Sequence, residues 1–352
     1  MSANTINSIS EFLLHAGTEY KIFDIGRRLT LTDNQTFLDI ENGKAYAPFP
    51  RQQHAWFGIV FWNKNASSEH YIWFVKLPTD EQGLVVSAAR NHFLDIIVDA
   101  LGQSILEDTE KAQKLPDNPY SFVPNQSLLA QFNAAVKQAL LQPLSDEARQ
   151  VEAYIQAPQL VDWQRLSMQS VADFASSLPK HSKQDMLEKA VAKNSTLYSE
   201  VFLNTLMEML EYVPLSATMK EFITTRFFSS NHTSEVNLAA LRALSTGSFD
   251  QDVHSVLQRV LENESCARLD ILSVIAARHY EQMDDSLLTL FLTQAAKADN
   301  QSEHAGAFFS GFFSDLVQIP KLRRQVLSLL RSPDRPAELA SAFNKLFAQT
   351  GK

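Results

Sequence analysis

The 352-residue chain has a single cysteine, Cys266, and so no pair with which to close an internal disulfide. That usage fits a reducing compartment. Its neighbours Leu261, Leu269 and Leu272 read Cys266 as a small buried hydrophobe and not as a reactive thiol. Glycine is nearly as scarce: there are ten, with none between Gly102 and Gly247. Strand-rich folds need glycine at their many tight turns, so the gap predicts helices. Long apolar runs are missing too. The longest, Ala55 to Trp62, is too short to span a bilayer. Residues 1–17 lack the basic and apolar regions of a secretory signal. The expected address is the cytoplasm, with no membrane partner.

Positive charge is also in deficit. The net charge is −9, from 31 basic and 40 acidic residues. Residues 1–124 hold 10 of the basic and 15 of the acidic residues, leaving 21 and 25, so both parts are acidic. Binding to a phosphate backbone needs a positive field that neither part supplies, and nucleic acid is not an expected partner. Nor is there a glycine-rich phosphate loop, a Gly-x-Ser-x-Gly elbow, a His-Glu-x-x-His pair or a zinc spacing. No cofactor, metal or catalytic residue is assigned from the sequence.

What is present is a globular balance of 45% apolar and 20% charged residues. Ser8 to Ala16 carries Ile9, Phe12, Leu13 and Ala16 on one helical face, and Gly17 ends it. Tyr20–Ile25 reads as a strand and Thr32–Glu41 as a helix. Ala55–Trp62 and Tyr71–Leu77, dense in β-branched and aromatic residues, read as a hairpin. Leu84–Val86 reads as a third strand and Ser87–Leu101 as an amphipathic helix. Pairing Trp62 with Tyr71 places Val60 opposite Trp73, and Trp56, Val60, Trp62, Tyr71 and Trp73 become one aromatic face, a candidate binding surface.

Residues 105–124, with Pro116, Pro119 and Pro124, read as a linker after an α+β domain at 1–104. From 125 to 352 the pattern is helix upon helix, about a dozen in all, with a pair repeating every ~35–40 residues. The expected fold is therefore mainly α: a small N-terminal α/β domain with an antiparallel aromatic sheet, then a HEAT-like α-solenoid or irregular helical array. His304–Val317 is apolar all round and reads as a buried helix, with Gly306, Ser310 and Gly311 permitting close backbone approach.

Three weaker constellations carry potential chemistry. His92, Asp95 and Asp99 share one helical face, which equally describes a solvated surface. Arg27 and Arg28 follow a strand and Arg51 enters the next, a candidate anion site. Lys321, Arg323, Arg324, Arg331 and Arg335 form a basic stretch suited to an acidic partner or simply to solvent.

The run Phe23-Asp24-Ile25-Gly26-Arg27-Arg28, then Pro48-Phe49-Pro50, Gln53-His54-Ala55-Trp56 and Phe61-Trp62, resembles a gammaproteobacterial family catalogued only as a domain of unknown function. The resemblance implies a bacterial cytoplasmic protein and supplies no activity, ligand or site residue. The expected function is a non-enzymatic protein-interaction or scaffold protein with an unidentified protein partner. The alternative is an enzyme or small-anion-binding protein with a site between the α/β domain and the helices.

Overall fold

The computed structural model describes residues 6–63, 69–107, 116–229, 234–263, 268–301 and 306–350. Cys266 and His304 lie outside these. The chain divides into two compact units, one of residues 1–124 with Val317–Arg323, the other of Asn125–Leu316 with Arg324–Lys352.

The first unit opens with α1 (Ile9–His15), β1 (Thr18–Asp24), β2 (Thr30–Thr32) and α2 (Asn34–Glu41), followed by β3 (His54–Asn63), β4 (Tyr71–Pro78) and α3 (Ser87–Glu107). Local chemistry sets these boundaries. The Ser8 hydroxyl accepts from Glu11 N and Asp33 accepts from Thr36 N, each satisfying an orphan donor of its helix. Gly17 (φ 71°) and Gly43 (φ 65°) supply left-handed stops. The buried Glu41 carboxylate accepts from Ile9 N at 2.7 Å and Ser10 N at 3.1 Å, so the end of α2 caps the start of α1.

The four strands are antiparallel in the order β2-β1-β3-β4. Leu84–Val86 is not a strand of a meander; it makes a single isolated bridge, Val85 to Thr79, beside which Val86 N donates to Pro78 O at 2.9 Å. Residues 120–122 instead run along the outer edge of β4. Lys76 N donates to Tyr120 O at 2.8 Å and Phe122 N to Phe74 O at 3.2 Å. Residues 116–124, expected to be part of a linker, thus belong to the first unit; residues 108–115 lie outside the described residues.

The β3–β4 register differs by one residue from the expected one. Phe61 lies opposite Tyr71, Ile59 opposite Trp73, and Trp56 opposite Lys76. A one-residue slip turns every side chain to the other face, so the five residues expected to cluster are divided. Tyr71 and Trp73 share a face with Phe57, Ile59 and Phe61, while Trp56, Val60 and Trp62 lie on the opposite face with Ile72 and Phe74. The first face is the core of the unit, joined by Ile9 and Leu13 of α1, Phe37 and Ile40 of α2, and Phe93 and Ile97 of α3. Trp73 meets Phe61 at 4.5 Å and both Phe12 and Phe93 at 6.3 Å between ring centroids. Trp73→Ala is therefore expected to lower stability by about 2 kcal/mol, below the ~3–5 kcal/mol of a fully buried ring. Urea unfolding reads the loss; an unchanged midpoint would remove Trp73 from the core.

The second unit contains α4 (Gln126–Ala139), α5 (Asp146–Gln156), α6 (Met168–Ser177), α7 (Gln184–Lys193), α8 (Glu200–Met209), α9 (Ala217–Phe228) and α10 (Ser234–Ala243). It continues with α11 (Gln251–Glu262), α12 (Leu269–Arg278), α13 (Asp285–Asn300), α14 (Ala307–Gln318), α15 (Pro320–Leu329) and α16 (Ala337–Thr350), except that Val317–Arg323, the end of α14 and the start of α15, belongs to the first unit. Asn125, Ser145, Ser167, Ser199 and Ser216 cap helix starts through side-chain oxygens. From α4 to α13 most helices pack on the next but one. One row runs α4-α6-α8-α10-α12, and a second runs α5-α7-α9 and resumes as α11-α13.

Side chains pin the rows together by donating to carbonyls that a helix C-terminus leaves unpaired. Asn194 Nδ2 donates to Ile155 O at 3.0 Å, Tyr198 Oη to the same carbonyl at 2.7 Å, and Gln294 Nε2 to Leu261 O at 2.7 Å. His279 Nε2 lies 2.9 Å from Leu241 O, a hydrogen bond in the tautomer protonated at that nitrogen. These pins span 33 to 43 residues, close to the repeat read from the sequence.

The apolar-all-round segment behaves differently from its expectation. Gly306 is buried, but at φ 103° it precedes α14, and its N–H donates to Asp299. Phe309 is buried, Phe308 is exposed, and a side chain at Gly311 would meet nothing within 4 Å. Phe309 and Leu316 are its buried residues, Phe312 and Phe313 pack half-buried against Phe291 and Phe343, and Phe308 and Gly311 are left on an open face. Gly311→Leu is thus expected to be neutral or to stabilise by ~0.5–1 kcal/mol through helix propensity. A fall of ~1–3 kcal/mol on thermal unfolding would instead indicate overpacking.

Candidate functional site

Of the candidate site residues, Arg27, Arg28, Arg51 and Trp56 gather where β1 ends and β3 begins, while Val60, Trp62, Tyr71 and Trp73 lie further along the β3–β4 hairpin. Ile25 N donates to Trp56 O at 2.9 Å, which aligns the two strand ends. At the next residue a Cβ would stand 1.9 Å from Phe49 O, so the chain can pass here only as Gly26. Arg27 is buried and its Nε donates to Pro50 O at 2.7 Å. The structure therefore brings Arg27 against the residue preceding Arg51, while Arg28 is half-buried beside it.

Arg51 and His54 exchange backbone hydrogen bonds of 3.0 and 3.1 Å around a two-residue turn. Gln52 (φ 52°) and Gln53 (φ 57°) both occupy the left-handed region, where Asn-Gly is the usual choice. Two glutamines there store roughly 1–2 kcal/mol each. The turn is held by Thr79 N donating to Gln53 O at 2.8 Å and by Gln53 N donating to Gln318 Oε1 at 2.9 Å.

Next to the turn, Trp56 is enclosed by cations. The Arg51 guanidinium stands 4.2 Å from the ring centroid and Lys76 Nζ 5.7 Å, and the indole N–H donates to Arg51 O at 2.9 Å. Phe122 closes the edge at 4.7 Å. Trp56 is 8% exposed and Val60 fully buried, whereas Trp62 is half-buried and Tyr71 is 46% exposed. Of the five aromatic-face candidates, only Tyr71 is exposed; Trp62 and Trp73 are half-buried, and they lie on opposite faces.

The residue that sequence reasoning passed over is Asp24. It is 1% exposed, its Oδ1 accepts from Gly26 N at 2.9 Å, and its Oδ2 has no hydrogen-bond partner. Burial pushes its carboxyl up to about 8, against the opposing pull of the Gly26 N–H and the Arg27 charge. The only signal in the sequence was a carboxylate closing an apolar strand immediately before a glycine. Chemically, the corner is a buried carboxyl beside a buried guanidinium, wrapped by a strained turn.

The other constellations are solvated. His92, Asp95 and Asp99 are exposed on α3, with His92 Nδ1 3.1 Å from Tyr120 Oη. Arg323 donates to Gln82 O at 2.9 Å and to Val317 O at 3.0 Å. Arg335 lies over the Phe343 ring, and Lys321, Arg324 and Arg331 are exposed. Among the described residues no three His, Cys, Asp or Glu side chains converge as a metal site, and no helix is long and apolar enough to cross a membrane.

Fold and corner together define a mainly helical protein carrying a four-stranded antiparallel sheet near its N-terminus. Residues 4–347 match the family described as "Protein of unknown function (DUF3549)", and the chain belongs to that family. No curated protein and no solved structure matches it.

Proposed function

We propose that the protein is a non-enzymatic interaction or scaffold protein of the bacterial cytoplasm, whose second unit is a HEAT-like α-solenoid that holds a protein partner. The observation that carries this reading is the packing of alternate helices from α4 to α13 in two rows. Stacks of this kind bury their apolar stripes between neighbours and leave long continuous surfaces for partners. The enclosure of Arg27 and its bond to Pro50 O weigh against the alternative, an anion site or enzyme centred on Arg27, Arg28 and Arg51.

The test is affinity capture of the full chain from native bacterial cytosol, with quantitative mass spectrometry and reciprocal capture. One or a few proteins retained in fixed stoichiometry, and rebinding as purified components, are expected. If no protein rebinds while the purified chain depletes or retains a small anionic metabolite, the alternative replaces this reading.

A further inference from the structure

The second row of helices has one discontinuity. α5 packs on α7, α7 on α9 and α11 on α13, but α9 and α11 make no comparable contact. They are nonetheless bridged at both ends. Near their N-termini, Lys220 Nζ lies 2.7 Å from Asp250 and 3.9 Å from Asp252. Near their C-termini, the Arg259 guanidinium stands 3.8 Å from the Phe228 ring centroid. The bridges pair N-terminal with N-terminal and C-terminal with C-terminal positions, so the two helices run in the same direction as the sides of a slot.

Between the bridges lies a groove of about 400 Å³. Its floor is apolar, made by Leu244, Val253 and Val256, and its walls carry the hydroxyls of Thr224, Thr225 and Ser255. Its charge is one-sided. Lys220 is engaged by Asp250 at 2.7 Å, from outside the lining, and more loosely by Asp252 at 3.9 Å, while Glu221 and Asp252 stand exposed on opposite walls. The lining itself therefore carries two carboxylates and one ammonium group whose charge is already met.

We propose that the α9–α11 groove binds a basic, extended peptide segment of a partner protein. This deepens the interaction reading above and rests on it. A lysine or arginine suits the slot in both halves of its side chain. The aliphatic stem lies on Leu244 and Val256, and the cationic head reaches Glu221 and Asp252. The groove volume exceeds a single side chain, and the wall hydroxyls are placed to pair with a peptide backbone. The net charge of −9 adds long-range attraction for a basic segment. A groove at the one break in the row also needs no rearrangement of packed helices to admit a ligand.

The experiment uses the full chain and a short fluorescent peptide of alternating lysine and leucine, with a matched peptide bearing glutamine for lysine. Fluorescence anisotropy is expected to show saturable, salt-sensitive binding of the lysine peptide and little binding of its match. The double variant Glu221→Gln, Asp252→Asn keeps the shape of two exposed side chains and gives up only the 3.9 Å pair with Lys220, an exposed pair that contributes little to stability, so its melting curve should stay close to the parent's. Its affinity should fall roughly tenfold or more. The control double variant Asp334→Asn, Glu338→Gln makes the same change of charge at exposed residues outside the groove lining and should bind as the parent does.

Equal loss in both double variants, or no binding by the parent, overturns the proposal. A shift of oligomeric state in light scattering with the groove variant alone, without peptide binding, would assign the slot to a second copy of the chain and overturn it likewise. A captured partner that still binds the groove variant leaves the interaction reading standing while this inference fails.

Discussion

Gly26→Ala is expected to unfold the N-terminal unit or to cost it about 3 kcal/mol or more, because the added methyl has nowhere to go. A Cβ at this position would stand 1.9 Å from Phe49 O, a backbone atom and not the tip of a flexible side chain. That carbonyl is fixed from both sides. Pro48 and Pro50 restrict the chain around it, and Pro50 O is in turn held by Arg27 Nε at 2.7 Å. The constraint is purely one of space, since Gly26 is not among the glycines of positive φ. Gly17 is the converse case: it sits at φ 71°, and a Cβ there would meet nothing within 4 Å. Gly17→Ala should therefore cost only ~1 kcal/mol, from backbone conformation alone. Near-UV circular dichroism follows the N-terminal unit directly, because Trp56, Trp62 and Trp73 all lie in it. Equal, small losses in the two variants would mean that the chain does not approach Phe49 as closely as described.

Where the sequence could be read, it was read through devices with a strong local cause. The glycine stop at Gly17 ends a helix through a left-handed residue, the absence of glycine between Gly102 and Gly247 excludes the many tight turns of a strand-rich fold, and helix-period apolar spacing marks the segments between. Those signals carried the helical class and the approximate repeat. The strand register was not legible for an equally physical reason. Register is specified when one face of a strand is apolar and the other polar, but β3 and β4 are apolar on both faces. A pairing shifted by one residue satisfies the same composition, and it moved Trp73 from the face of Trp56 to that of Phe57.

The candidate site was half legible. The arginines and the Pro-Phe-Pro segment stood out as residues, but not what each one touches. Arg27 and Arg51 look alike in sequence, yet one is spent on a carbonyl inside the fold and the other lies against an indole ring. Asp24 had no visible peculiarity, because its burial depends on the approach of residues 49–56 from a distant part of the chain. The same holds for the α9–α11 groove. It follows from one helix pair, α9 and α11, failing to close, a relation between segments ~30 residues apart that no local pattern encodes.

Asp24→Asn is expected to make the protein more stable at and above pH 8 and to flatten its dependence on pH. The wild-type carboxyl is raised from 3.8 to about 8 by burial, more than the Gly26 N–H and Arg27 can offset. Between those values the folded chain retains a proton that the unfolded chain has released. Stability therefore falls as pH rises through that window, by roughly 1 kcal/mol per pH unit, and is insensitive to this group below it. An amide cannot ionise, and its oxygen can still accept from Gly26 N, so the variant keeps the 2.9 Å bond and loses the buried charge. Its NH2 group takes the place of Oδ2, which has no partner to lose. Glu41 is also raised by burial, and Asp33, Asp250, Asp270 and Asp284 are lowered by their hydrogen bonds. For this reason the informative quantity is the difference between variant and parent in urea unfolding from pH 5 to 9. That difference should be small at the acid end and grow steadily in favour of Asn. The opposite sign at neutral pH, with Asn the weaker protein, would show Asp24 ionised and paired with Arg27, and the corner would then be a buried ion pair.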